Sequence, residues 1–279
     1  MKEKINIAFS PCPNDTYMFA ALVNGWIDCG NYAFNPMIED IEQLNIRSGN
    51  ESADVLKMSV ARFASVSERF HLLHSGNAVG RGCGPLLVGK RIPAFEELSE
   101  MRIAVPGKRT TANMLLGMFF PHVHRKSEII FSEIENEILK NNFDAGVIIH
   151  ESRFTYSYRG LLKIADLGEL WEQETGMPLP LGCMAVKKSL SEKTKFETEN
   201  LIRKSIRFAF DHPETVMPYV RLHAQEMDEQ VMKQHIRLYV NEFSVDLGKE
   251  GKRAVDLILE KAAALRIVSP APGNTITST

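Results

Sequence analysis

Short, nearly continuous apolar runs alternate along this chain with longer stretches whose apolar residues recur every three or four positions. The first pattern predicts strands buried on both faces, the second amphipathic helices. Strands are expected at 5–9, 32–35, 54–58, 71–75 and 85–88, with helices at 16–24, 39–46 and 60–70 between them. After Lys90-Arg91 the rhythm restarts, with strands at 102–105, 128–131, 145–149 and 181–186 and helices at 110–120, 134–141 and 169–174. From Ser189 onward the pattern is helical, at about 192–211, 214–226, 228–241 and 249–265, and Ser189 with Glu192 reads as a capping box. The tail, 269–279, is rich in Ser, Thr, Pro and Gly and is expected to be loosely held.

Strands alternating with helices imply an α/β protein whose parallel or mixed sheets carry helices on both faces. Two such blocks, joined near 89–92 and again near 186–189, predict two lobes. The larger takes residues 1–89 and 187–279, and the smaller, 90–186, is inserted in it. A cleft between lobes is where a small-molecule site is expected.

Composition narrows the function classes. With 44% hydrophobic and 24% charged residues, a 279-residue chain buries a substantial core. The net charge of −2 comes from mixed signs throughout, with no basic stripe for nucleic acid and no polybasic or amphipathic segment for a membrane surface. The four cysteines are scattered without a CxxC pair, which fits reduced thiols. Met1-Lys2-Glu3-Lys4 passes straight into the first strand without an apolar leader, so a cytoplasmic location is expected.

Ligands of open α/β sheets bind beyond the carboxyl ends of the strands. The run 145–149 ends abruptly on His150-Glu151-Ser152-Arg153, and a histidine there exchanges a proton near neutral pH. His150 is therefore the first candidate for chemistry. Lys57-Met58-Ser59 ends another strand. Ser10-Pro11-Cys12-Pro13-Asn14-Asp15 follows the first, with prolines that stiffen the loop and Asn14 or Asp15 as a helix cap. At Pro106-Gly107-Lys108-Arg109-Thr110-Thr111-Ala112 a tight turn leads to a helix whose free first-turn amides favour an anion, with Thr110 or Thr111 as the cap. Gly80-Arg81-Gly82-Cys83-Gly84 is not a dinucleotide motif, since it leads into a strand; its glycines suit close backbone approach or a bend at the cleft edge. His71/His74 and His122/His124 lack a third ligand at zinc-site spacing, so no metal is required.

Five of these segments, Ser10-Pro11-Cys12-Pro13-Asn14-Asp15-Thr16, Lys57-Met58-Ser59, 80–86, 106–112 and Ile148-Ile149-His150-Glu151-Ser152-Arg153-Phe154-Thr155-Tyr156, stand in the order and spacing of one family. Together with Leu179-Pro180-Leu181-Gly182 they resemble 1,4-dihydroxy-6-naphthoate synthase of the futalosine route to menaquinone, over nearly the whole chain. The resemblance implies a two-lobed fold like the type 2 periplasmic binding proteins, with an interlobe cleft. It implies a lyase that converts cyclic dehypoxanthinyl futalosine, a small-molecule carboxylate, into 1,4-dihydroxy-6-naphthoate and dihydroxyacetone, with neither metal nor organic cofactor. The family's base maps onto His150, and its substrate contacts onto Lys57, Met58, Ser59, Thr111 and Ala112. Phe9, Met58 and Phe154 are candidates to face the substrate ring, while Glu151 and Arg153 either orient His150 or pair with each other. Two rivals share the scaffold: a solute-binding protein that captures a small anion, and chorismate dehydratase of the same pathway. The missing leader disfavours the first and the His150 motif the second.

Overall fold

The computed structural model describes residues 2–50, 52–224 and 228–268. The chain opens with β1 (Glu3–Phe9), α1 (Pro13–Val23), β2 (Tyr32–Ile38), α2 (Ile41–Arg47), β3 (Val55–Ser59), α3 (Val60–Ala64), β4 (Phe70–Leu72) and β5 (Ala78–Gly80). It continues through β6 (Leu86–Gly89), β7 (Ile103–Val105), α4 (Thr111–Phe119), β8 (Lys126–Glu128), α5 (Ile134–Leu139), β9 (Ala145–Ile148), α6 (Ser152–Thr155), β10 (Leu162–Asp166) and α7 (Leu167–Thr175). Then β11 (Leu179–Lys187) precedes α8 (Glu192–Asp211), α9 (Pro213–His223), α10 (Glu229–Tyr239), α11 (Glu242–Val245) and α12 (Gly248–Ala264).

These strands form two sheets. The first runs β2-β1-β3-β11-β4 with β5 also on β11; β1 is parallel to β2 and β3, and β11 is antiparallel to its partners. The second runs β10-β6-β9-β7-β8, parallel from β9 to β8 and antiparallel at β6 and β10.

Sheet membership moves the expected lobe boundaries. β6 lies in residues 1–89 yet pairs with β9 and β10, and β11 lies in residues 90–186 yet pairs with β3. The chain therefore crosses at 81–85 and returns at 176–178, not at 89–92 and 186–189. Lys90-Arg91 is an ordinary exposed turn after β6. The true first crossing is the glycine-rich stretch. A Cβ on Gly84 would stand 2.2 Å from the Gly168 backbone, so only glycine lets this strand pass the start of α7.

Other boundaries shift locally. The helix expected over 60–70 stops at Ala64, and Phe70–Leu72 is β4. The strand expected over 128–131 is Lys126–Glu128, followed by a 3-10 turn from Phe131. Ser191, not Ser189, caps α8 by accepting from the Thr194 amide. β10 follows a left-handed turn at Gly160 and was not expected. The tail at 269–279, and the end of the helix expected over 214–226, fall outside the described residues.

α1 shows most directly how sequence dictates place. Every residue from Pro13 to Leu22 is buried, because the helix lies between the first sheet and the C-terminal helices α8, α9 and α10. A helix apolar around its circumference has no solvent face to offer. Polar residues at its start, Asn14 and Asp15, are thus buried by position and must find partners.

Candidate functional site

Strand ends and helix starts from both lobes line one cleft. Its floor is Ser10, Asn14 and Asp15 beyond β1, with Lys57 and Ser59 on β3; from the other lobe come Thr110, Thr111 and Ala112 at α4 and His150 beyond β9. Leu181 and Gly182 of β11 and His235 and Tyr239 of α10 complete it.

Period-two alternation decides which residues of β3 reach the cleft. Lys57 and Ser59 line it, whereas Met58 is fully buried in the hydrophobic core on the opposite face. The expected substrate contact through Met58's side chain is therefore corrected. Phe9 is likewise core, its ring 5.0 Å from that of Phe19, so it does not face a substrate.

Lys57 Nζ lies 3.1 Å from Asp15 Oδ1 and donates to the Gly76 carbonyl at 2.7 Å, leaving one of its three N–H groups for a ligand. The Asp15 carboxylate also accepts from the Ser10 amide at 3.2 Å, the Ser10 hydroxyl at 2.7 Å and Asn14 Nδ2 at 2.8 Å. Such multiple pairing is what a buried ion pair requires. Ser59 is fixed by Asn45, which accepts from the Ser59 amide at 2.9 Å and donates to Oγ at 3.1 Å. The hydroxyl hydrogen of Ser59 remains for a ligand.

At the facing wall, Thr110 is the N-cap of α4 and accepts from the Asn113 amide at 3.2 Å. The Thr111 and Ala112 amides, in the first turn, have no carbonyl one turn back within the helix and offer an anion site. Thr111's hydroxyl is otherwise engaged. It donates to the Leu181 carbonyl at 2.6 Å and accepts from the Ala61 amide at 3.4 Å, both on the first lobe. Beside it, Arg109 pairs with Glu42 at 2.9 Å. The Glu42 side chain covers Gly107 so closely that a Cβ there would meet it at 2.6 Å. These contacts hold the lobes closed.

His150 stands at the end of β9 with φ 60°, in the left-handed region. For a non-glycine residue that backbone costs about 1–3 kcal/mol and persists only where surroundings enforce it. Its half-buried ring packs 4.7 Å from Phe131, with Nδ1 3.3 Å from Cys12 Sγ. Burial, then the charge of Glu151, pushes the Cys12 thiol well above its ordinary pKa. Burial likewise raises the Cys83 and Cys183 thiols to about 12. All four cysteines are free and buried, and these three stay protonated near neutral pH rather than acting as nucleophiles.

Glu151 and Arg153 do not pair with each other. Arg153 binds the Gly84 carbonyl and, at 2.7 Å, Asp166, the residue that caps α7, so it ties the lobe crossing together. Glu151 turns toward His235, its Oε2 3.8 Å from Nδ1. His235 was absent from the expected site. It is 1% exposed, donates from Nε2 to Asn14 Oδ1 at 2.8 Å, and stacks 6.2 Å from His150. Burial first, and His150 second, holds its pKa well below the ordinary value, so the ring is neutral. The one signal in the sequence was a histidine on the apolar stripe Met232-His235-Ile236-Tyr239 of an amphipathic helix.

Ring nitrogens of His150 and His235 and a Glu151 oxygen lie within 4.8 Å of one another. The 3.8 Å between His235 and Glu151 exceeds the separation of about 3.3 Å between ligands of a tetrahedral zinc. As placed, the three do not make a closed coordination shell.

Comparison with known proteins agrees with this architecture. A family described as "Menaquinone biosynthesis" matches residues 5–264. The 1,4-dihydroxy-6-naphthoate synthase of Thermus thermophilus is 40% identical over 97% of this chain and 98% of its own length. That of Streptomyces coelicolor is 42% identical, covering 97% and 96%. The solved structure of protein AF1704 from Archaeoglobus fulgidus superposes with a TM-score of 0.90 at 32% identity, covering 95% of this chain and 98% of that one. A Candida albicans protein described as having the generic periplasmic binding protein fold superposes at 0.67 with 12% identity, covering 99% and 98%, which shows the fold alone. Among the described residues no helix is long and apolar enough to cross a membrane. By family match and by relatives aligned almost end to end, the chain belongs to the 1,4-dihydroxy-6-naphthoate synthase family of menaquinone biosynthesis.

Proposed function

We propose that this protein is a carbon–carbon lyase that converts cyclic dehypoxanthinyl futalosine into 1,4-dihydroxy-6-naphthoate, releasing dihydroxyacetone, with His150 as the base. The observation that carries this reading is His150 itself, held in a strained left-handed turn on the wall of the interlobe cleft, on the same lobe as the start of α4. Family membership supplies the product, since relatives at 40–42% identity are named for it.

The cleft suits the chemistry. A substrate carboxylate is attracted to the Thr111 and Ala112 amides, to the remaining Lys57 N–H and to the Ser59 hydroxyl. The substrate's reacting carbon then lies toward His150, whose ring removes a proton and starts cleavage and aromatisation. Thr111 contributes its amide, while its hydroxyl holds the lobes together. Exclusion of water by that closure strengthens each polar contact inside.

The direct test is incubation of the purified protein with cyclic dehypoxanthinyl futalosine and, in parallel, with chorismate. Naphthoate product from the first and no turnover of the second is expected. Turnover of chorismate alone assigns the protein to the dehydratase reaction instead. Binding without any product makes it a solute-binding protein.

A further inference from the structure

Ser59 forgoes the bond that its place in the chain favours. It is the N-cap of α3, where a serine ordinarily turns its oxygen to an amide two or three residues ahead, yet its side chain makes no such bond. The Ala61 amide instead finds Thr111 Oγ1 of the other lobe at 3.4 Å, so α3 is capped across the interface. The same threonine donates to the Leu181 carbonyl at 2.6 Å, and Leu181 precedes Gly182, the β11 partner of Ser59. The start of α4 therefore lies beside Ser59.

What turns the Ser59 hydroxyl away from its helix is Asn45, fully buried on α2. Asn45 Oδ1 accepts from the Ser59 amide at 2.9 Å, and one hydrogen of Nδ2 goes to Ser59 Oγ at 3.1 Å. The second hydrogen of Nδ2 goes to Glu42 Oε2 at 3.0 Å. Turning this amide over would set its oxygen against the Glu42 carboxylate and its hydrogens against the Ser59 N–H, so both neighbours enforce one orientation. The other Glu42 oxygen takes Arg109 of the second lobe at 2.9 Å, just before the Thr111 and Ala112 amides. Arg109, Glu42, Asn45 and Ser59 thus form one chain from lobe to lobe. With Oγ accepting from Asn45, the Ser59 hydroxyl hydrogen has no acceptor among the described residues and is left for the cleft that Ser59 lines.

We propose that Glu42 and Asn45 are positioning residues for the substrate carboxylate: docking of Arg109 on Glu42 fixes Asn45, and Asn45 aims the Ser59 hydroxyl at the carboxylate that the α4 amides attract. Neither residue lines the cleft, so both act through Ser59. The chain links closing of the lobes to recognition, because the turn that brings the α4 amides also sets the donor opposite them. This assignment rests on the lyase reading for the identity of the carboxylate.

A double-mutant cycle tests it, read by calorimetric titration with 1,4-dihydroxy-6-naphthoate. Ser59→Ala should weaken binding about tenfold, one hydrogen bond to a charged group, and Glu42→Ala about fivefold. Because Glu42 acts through Ser59, the double variant should stay within about twofold of Ser59→Ala alone, short of the roughly fiftyfold that independent losses would give. Asn45→Ala added to Ser59→Ala should likewise cost less than about twofold. A merely structural role would weaken binding equally with or without the Ser59 hydroxyl. Additive losses, or unchanged affinity in Glu42→Ala or in Ser59→Ala, overturn the chain. Wild-type protein that forms naphthoate from cyclic dehypoxanthinyl futalosine while the losses add sinks the positioning role alone; wild-type protein that forms none sinks the lyase reading beneath it.

Discussion

The two walls of the cleft are built on opposite principles. On the first lobe, Ser10, Asn14, Asp15, Lys57 and Ser59 are all buried; the first four are joined in one network centred on Asp15, and Ser59 is held separately by Asn45. On the second lobe, His150 is half-buried and sits in a strained turn beside Glu151, which, like His235 reaching over from α10 of the first lobe, leaves a buried atom unpaired among the described residues. The satisfied wall is rigid and positions. The unsatisfied wall carries His150, the proposed base, and on the lyase reading it is the wall that acts.

The contrast can be broken at several points. Removing the imidazole has the largest effect: His150→Ala should lose about 10²–10⁴-fold in turnover with little change in folding, measured by steady-state formation of the naphthoate. Turnover within a few-fold of wild type removes His150 from the chemistry.

Disturbing the satisfied wall should instead cost stability. Lys57→Met leaves the Asp15 carboxylate buried without its cation, and unfolding in urea should show a loss of about 3–5 kcal/mol. A loss below about 1 kcal/mol would mean the pair behaves like a surface one.

His235 gives a smaller effect that depends on pH. Unfolded, its ring titrates near about 6.5, and folded, burial holds it well below. Between the two values the unfolded chain binds more protons, so native stability falls as pH is lowered, by up to about 1.4 kcal/mol per pH unit. His71 and His223, also lowered mainly by burial, act in the same direction. The informative quantity is therefore the difference from His235→Asn, which should lose stability less steeply from about pH 6.5 to about pH 5. Identical slopes contradict a neutral His235.

Smallest is the interlobe bond. Thr111→Val removes the donor to Leu181, worth about 0.5–1.5 kcal/mol of closure, and should weaken naphthoate binding less than about tenfold. Unchanged affinity in a titration shows that closure does not depend on this bond.

Much of this site could be read along the chain because its parts are local. A strand end or a helix start is encoded by its own few residues, so the β9 end, the α4 start and the β3 end were visible in the sequence. What failed were relations across distance. β6 and β11 look like any buried strand, and only pairing decides which sheet takes them. Met58 was included with its neighbours although alternation along β3 turns it to the core. His235 belongs to no motif; α10 reaches the start of α1 only in the folded chain, and there an ordinary-looking helix residue becomes part of the cleft. Arg153 was visible as a charge beside the histidine, but its true partner, Asp166, lies on a strand whose existence the pattern did not reveal.

The most direct test of the lyase reading pairs chemistry with binding in one preparation: single-turnover formation of 1,4-dihydroxy-6-naphthoate from cyclic dehypoxanthinyl futalosine by wild type and His150→Ala, alongside naphthoate titrations of both. The expected result is product from wild type, a loss of at least about 10²-fold in the variant, and affinities that agree within a few-fold. No product from wild type that binds the substrate, or full-speed product from His150→Ala, contradicts it.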